Sequence, residues 1–170
     1  PVYLGPFDPD LFADFNELVV SPGINIAEPA IAHAAEQGAR IRGDIDLFAE
    51  AADAPIVAIT GSNGKSTVTT LVRDMLIDAG LAAEMGGNIG VPVLMLEEPA
   101  DDRIYVVECS SYQIDLAPSL DANIGILLNL APDHLDRHGS MEHYASIKER
   151  LVTQASKAII GVGDKWSATI

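Results

Sequence analysis

The chain has 170 residues, with 10 Lys and Arg against 25 Asp and Glu, for a formal charge of −15. That balance argues against a nucleic-acid binder, which needs a basic surface to displace counterions from phosphates, and against docking on an anionic membrane. Apolar residues make up 48% of the chain, enough for a real core, yet no apolar run approaches the roughly 20 residues that span a bilayer.

In chain order, residues 2–4 and 17–20 read as short buried strands, and Ser21-Pro22-Gly23 is a turn signal. Residues 28–36 read as a helix stopped by Gly38, 40–42 as a strand and 45–52 as a short helix. A second unit opens at Ala54-Pro55. Residues 55–60 (PIVAIT) are a buried strand, 61–64 a glycine-bearing loop and 65–79 a helix stopped by Gly80. Val68, Leu71, Val72, Met75, Leu76 and Ala79 recur on one face of that helix. Further strands are expected at 82–85, 104–108, 124–129 and 158–162, with a helix at 141–155 between the last two. Continuous apolar strands alternating with helices predict an α/β fold with a mostly parallel sheet covered on both faces. Ligands of such sheets sit beyond the carboxyl ends of the strands. The opening at Pro1 without Met and the stop at Ile170 read as cuts in a longer chain.

The strongest local signal is 60–67 (TGSNGKST), between a strand and a helix. Small residues let backbone N–H groups approach an anion, and the helix N-terminus adds its positive dipole end. Lys65 would reach terminal phosphates and Ser66 would offer a hydroxyl to Mg²⁺. The spacing is shorter than in G-x-x-x-x-G-K-[ST], whose first Gly would fall at Ile59. A plain glycine turn before an ordinary helix is the alternative. Glu108 ends an apolar strand, where its carboxylate would suit Mg²⁺ or simply be solvated. Residues 129–138 (NLAPDHLDRH) crowd Asp133, His134, Asp136, Arg137 and His138 onto one loop, either for function or as a polar loop in which an aspartate caps a short helix. Lys148 lies four residues after Tyr144 and shares its inward side. A buried ammonium is costly unless paired or chemically altered, and spacing alone favours a lysine that snorkels at the margin of the face. Gly86-Gly87-Asn88-Ile89-Gly90 permits close approach to a ligand, or is an irregular turn. The lone Cys109 excludes an internal disulfide framework, suits a reducing cytoplasm, and reads as a packed small residue rather than a nucleophile.

Together, TGSNGKST, GGNIGVP at 86–92, ECSSYQI at 108–114 and NLAPDHLDRH resemble, in order and spacing, the ATP-dependent Mur ligases. The block after Glu108 is most similar to the family's D-glutamate-adding branch. The resemblance implies that 1–52 is the latter part of a Rossmann-like, UDP-binding N-terminal domain and that 53–170 is the first part of a P-loop ATPase domain. A C-terminal amino-acid-binding domain would lie outside this stretch. It implies that Gly61, Asn63, Gly64, Lys65, Ser66 and Thr67 hold ATP. Ser66 and Glu108 would bind one Mg²⁺, with His134 at a second. Lys148 would be carried as an N-carbamate, which replaces a costly buried ammonium with an anion near the metal. Ser21, Gly23 and Asn88 would meet the nucleotide-sugar diphosphate, and Ser110 and Gln113 the muramoyl-alanine end. The implied reaction phosphorylates the carboxylate of UDP-N-acetylmuramoyl-L-alanine with ATP and lets the amine of D-glutamate displace phosphate, with Lys65, Glu108, His134 and Lys148 as the catalytic set. A sibling ligase for another amino acid, a P-loop NTPase switch and a non-catalytic remnant are the rival readings.

Overall fold

The computed structural model describes residues 2–97 and 102–170. The first 52 residues, expected as one unit, hold α1 (Pro9–Ala13), β1 (Glu17–Val19), α2 (Pro29–Glu36), β2 (Arg40–Arg42) and α3 (Asp44–Ala51), and Ile45 and Phe48 of α3 pack into the core of the sheet that follows. α1 starts where the Asp8 carboxylate accepts from the N–H groups of Asp10 and Leu11, with Pro9 at a position whose N–H would be unpaired anyway. β1 and β2 pair in parallel, Glu17 opposite Arg40. Residues 2–4, expected as a strand, lie outside any strand and are exposed. Their apolar side chains meet no second layer, so alternation alone does not hold them extended.

Arg42 is 3% exposed and ion-paired to Asp46, Glu17 and Glu50. Asp46, fully buried, also accepts from the Ser119 N–H at 2.8 Å. Val20, Ile31 and Leu116 form a small apolar core beside this network, and the Gly43 N–H donates to the Leu116 carbonyl at 2.8 Å. Leu116 and Ser119 belong to the second unit, so a hydrogen bond to a buried carboxylate and apolar packing both cross the seam.

The second unit is a five-stranded, wholly parallel sheet in the order β4-β5-β3-β6-β7. Its strands are β3 (Ile56–Thr60), β4 (Ala82–Gly87), β5 (Arg103–Glu108), β6 (Ile124–Leu127) and β7 (Lys157–Ile160). All five residues of β3 are buried, and the strand's alternation divides them between two cores. Val57 and Ile59 pack with Val106 and Ile126 under Val68, Val72 and Leu76 of α4 (Lys65–Asp78). Ile56 and Ala58 face the larger core, which also holds Val107, Leu127, Tyr144, Ile147 and Leu151. The last three come from α7 (Met141–Thr153). Two short helices, α5 (Ser111–Asp115) and α6 (Leu135–His138), follow β5 and β6. The winding reverses beside β3, so the crevice beyond the carboxyl ends of β3, β5 and β6 is the expected ligand site.

Two further expectations change. Leu71 and Met75 are 55% and 62% exposed, whereas Thr69 is fully buried. The stripe of α4 against the sheet is therefore rotated toward Thr69, because a helix on a sheet buries only the residues facing the strands beneath it. The sheet is also not covered throughout. Three of the four β7 residues are exposed, because β7 lies at the sheet's edge, beyond the strands that α4 packs on. Among the described residues no helix is long and apolar enough to cross a membrane.

Candidate functional site

β3 delivers Thr60 to the carboxyl end of the sheet and the chain turns into α4 through the glycine loop. Gly64, at φ +80, stands at the N-cap in the left-handed region and offers no side-chain cap. Glycine suits that conformation, and the first-turn N–H groups of α4 are left without a capping side chain to meet an anion. A Cβ at Gly61 would come within 3.0 Å of Leu128 Cβ, so only glycine lets the loop lie this close to β6. Asn129 then pins the loop. Its Oδ1 accepts from the Asn63 N–H at 2.9 Å, its Nδ2 donates to the Asn63 carbonyl at 3.0 Å, and its own carbonyl accepts from the Ser62 N–H at 3.0 Å. Lys65 folds back over the loop, donating to the carbonyls of Gly61 and Ser62 at 3.1 and 3.2 Å. Asn63, Ser66 and Thr67 are exposed at the mouth.

Two charged side chains lie beneath. Glu108 is 1% exposed, which removes the solvated-strand-end reading. Its Oε1 accepts from Asn88 Nδ2 at 2.9 Å, while its Oε2 is buried with no hydrogen-bond partner among the described residues. A carboxylate oxygen in that state fits a hard cation. Mg²⁺ commonly takes one or two carboxylates with phosphate oxygens and waters. Among the described residues no three His, Cys, Asp or Glu side chains form a metal-holding group. Lys148 is 1% exposed and so does not snorkel. Its Nζ donates to Thr60 Oγ1 at 2.9 Å and to the Gly61 carbonyl at 3.1 Å, and sits 5.1 Å from the Tyr144 ring centre. Burial first, then the Lys65 charge, push its ammonium down to about 7. The Gly61 carbonyl is thus shared by both lysines. Cys109 is fully buried and its thiol is pushed up to about 12, mainly by burial, which fits a packed residue rather than a nucleophile.

The loop after β6 closes the crevice. Ser62 Oγ lies 3.0 Å from the Ala131 carbonyl, 2.9 Å from the Ala131 N–H and 3.0 Å from the Tyr144 hydroxyl, joining the glycine loop to this one. His134 holds a left-handed backbone, φ 52, at the start of α6, with no side-chain cap there. Neither aspartate of the loop caps α6 in its place. His134 Nε2 lies 3.5 Å from Asp133 Oδ2, and its ring centre is 4.9 Å from that of Tyr112. His138 is buried, 2.9 Å from Ser111 Oγ, and burial lowers its pKa.

The remaining expected ligand-binding residues sit in built structure. Ser110 and Gln113 form a reciprocal capping box on α5, and Gln113 Nε2 reaches Asp44 at 3.5 Å. Capping is an ordinary structural task for this pair. Ser21 and Gly23 lie on an exposed turn closed by Ile24 N–H to Ser21 carbonyl at 2.9 Å. Arg137 reaches that turn, donating to the Ile24 carbonyl at 2.6 Å. The structure therefore gathers Lys65, Lys148 and Glu108 with Asn88 at the carboxyl ends of β3 and β5, and ties the 21–24 turn to the loop that carries His134. Sequence reasoning had no reading for Tyr112, and none for Ser62 and Tyr144 as hydrogen-bond partners. Their roles arise from through-space contacts that no spacing reveals.

Comparison with known proteins adds an independent line. A family model described as "Mur ligase middle domain" matches residues 59–170, and one described as "Mur ligase MurD-like, N-terminal domain" matches residues 1–43. Two curated relatives are the "UDP-N-acetylmuramoylalanine--D-glutamate ligase" proteins of Marinobacter nauticus, 57% identical, and Mesorhizobium japonicum, 53% identical. The matches cover 98% and 94% of this chain but only 37% and 36% of those relatives, so the chain spans just over a third of their length. A solved structure described as "UDP-N-acetylmuramoyl-L-alanyl-D-glutamate--2,6-diaminopimelate ligase" shares the fold, with a TM-score of 0.59 at 19% identity over 90% of this chain and 42% of that one. The MurF ligase of Thermotoga maritima in complex with ADP gives 0.53 at 15% identity, over 90% and 47%. The order of motifs, the parallel sheet and the two family models agree that the chain belongs to the Mur ligase family.

Proposed function

We propose that the protein carrying this chain is an ATP-dependent amide ligase that joins D-glutamate to UDP-N-acetylmuramoyl-L-alanine in peptidoglycan precursor synthesis, working in the cytoplasm. In this reading 1–52 belong to the nucleotide-sugar-binding domain and 53–170 to the ATPase domain, and the incoming amino acid is held outside this stretch. The observation that carries it is the meeting of Lys65 and Lys148 on one carbonyl, with the unpartnered Glu108 Oε2 in the same crevice. The printed names of the relatives support the choice of substrates.

A carboxylate is a poor electrophile. An oxygen of the substrate carboxylate attacks the γ-phosphorus of ATP, ADP leaves, and the acyl phosphate is then attacked by the D-glutamate amine. The C–N bond forms, inorganic phosphate departs and the amine gives up a proton. The chain's part is positioning and charge neutralisation. Gly61, Asn63, Gly64, Lys65, Ser66 and Thr67 cradle the triphosphate. Ser21, Gly23 and Asn88 hold the diphosphate of the nucleotide sugar, and Ser110 and Gln113 hold its muramoyl-alanine end. Ser66 and Glu108 would hold one Mg²⁺ and His134 another, and the two ions would supply positive charge that screens phosphate oxygens from an incoming anion. Lys148, with its pKa near 7, presents a large neutral fraction at physiological pH. Only that neutral amine adds CO₂. The carbamate, formed with release of a proton to solvent, would be an anion able to help hold the cation and would remove the cost of a buried ammonium.

The test is nucleotide binding by the full-length protein with and without Mg²⁺. Lys65→Ala is expected to weaken ATP binding by about 100-fold, the scale of a lost charge-assisted contact to phosphate. Unchanged affinity in that variant overturns the phosphate-loop assignment.

A further inference from the structure

Tyr112 stands on α5 with its ring in contact with three groups of the next loop. The His134 ring centre is 4.9 Å away, the Arg137 guanidinium carbon 4.9 Å and the His138 ring centre 5.3 Å. Arg137 uses its other end differently: Nη2 donates to the Ile24 carbonyl at 2.6 Å, across 113 residues of sequence. That carbonyl belongs to the turn whose own closing bond runs from Ile24 N–H to Ser21. A continuous path of contact therefore runs from the turn to Arg137, through the Tyr112 ring, to His134. The element carrying Tyr112 is itself fixed to the first unit, since Leu116 at the C-cap of α5 packs with Val20 and Ile31. His134 has no comparable restraint of its own. Its side chain is 48% exposed, its partner Asp133 is 42% exposed, and its backbone sits in a conformation that non-glycine residues seldom hold without support.

We propose that Arg137 and Tyr112 are positioning residues, which tie the 21–24 turn of the first unit to the ring of His134 so that a nucleotide diphosphate seated on that turn sets where His134 stands. The identity of the ligand rests on the proposed function; the stack itself does not. Planarity is central. A guanidinium can hydrogen-bond in its plane to Ile24 while its face covers Tyr112, whereas a lysine ammonium can do only the first.

The experiment has two arms, both on the full-length protein. In the first, the imidazole signals of His134 are followed by NMR without ligand. Arg137→Ala is expected to move them away from their ring-shifted positions, Arg137→Lys not to restore them, and Tyr112→Phe, which keeps the ring, to leave them in place. Unmoved His134 signals in Arg137→Ala overturn the proposal. Where that variant fails to fold, Tyr112→Leu decides in its stead, because it removes the stack and leaves Arg137 on Ile24. In the second arm, Arg137→Ala raises the KM for UDP-N-acetylmuramoyl-L-alanine about tenfold while the KM for ATP changes less than about twofold, the split expected of a lost stacked and charge-assisted contact on one side of the site. An equal rise in both constants overturns the coupling and leaves only general loosening. A wild-type protein that binds neither ligand defeats the proposed function, and the NMR arm still decides the stack.

Discussion

Among the described residues, charge is buried at the seam and at the crevice, and is treated there in opposite ways. At the seam, the Arg42 guanidinium meets Asp46, Glu17 and Glu50, and Asp46 spends its second oxygen on the Ser119 N–H. At the crevice, among the described residues, Lys148 donates to neutral acceptors and one oxygen of Glu108 has no hydrogen-bond partner. Burying a charge costs several kcal/mol unless pairing offsets it. The saturated network therefore serves architecture, joining the first unit to the loop after α5 through Ser119. The crevice charges lack an ion-pair partner of this kind, which is in keeping with the ligand-binding role proposed for them.

Removing one partner from the seam should break this contrast most visibly. Asp46→Ala leaves the Arg42 charge short of its buried partner and the Ser119 N–H without an acceptor, and is expected to lower stability by about 3–5 kcal/mol in urea melts. A loss under about 1 kcal/mol would mean that the seam tolerates open charge as the crevice does. The pH dependence sharpens the other side. Lys148 is held near 7 in the fold against 10.5 in a free lysine. Between those values the unfolded chain binds the extra proton, so stability rises with pH, by up to about 1.4 kcal/mol per unit. Below 7 the penalty is fully present, and above 10.5 it is gone. In CO₂-free buffer, Lys148→Met should flatten this slope and exceed the wild type in stability at pH 6, with no gain left at pH 10.5. A parallel pair of profiles would show that Lys148 is already satisfied. The smallest effect belongs to α4: Met75→Gln on its exposed flank should change stability by no more than about 0.5 kcal/mol. A larger loss would restore the wider apolar face that periodicity alone implies.

What was legible in the sequence follows from range. β3, the glycine loop and α4 are local: an apolar run, small residues and a helix start lie within some twenty positions, and the structure places them within a residue or two of expectation. The inward side of Lys148 was legible from Tyr144 and Leu151, but its full burial was not, since spacing alone favours a snorkelling lysine. α1 and α5 were not identified, although Asp8 before Pro9 and Ser110 three residues before Gln113 were available as cap signals. Five-residue helices offer too few turns for periodicity to speak. Tyr112 was beyond any reading of pattern, since its neighbours His134 and Arg137 arrive from another strand's loop. The exposure of Leu71 depends on which strands lie beneath α4, information held by the sheet order rather than by the helix.

Ser62 has one hydroxyl proton and two lone pairs to distribute among three neighbours. The Ala131 N–H can only donate, so it takes one lone pair; the Ala131 carbonyl can only accept, so it claims the proton. The Tyr144 hydroxyl is left to donate to the second lone pair. The direction of every hydrogen at this junction is thereby determined, and the phenol oxygen of Tyr144 keeps only acceptor capacity for whatever else approaches it.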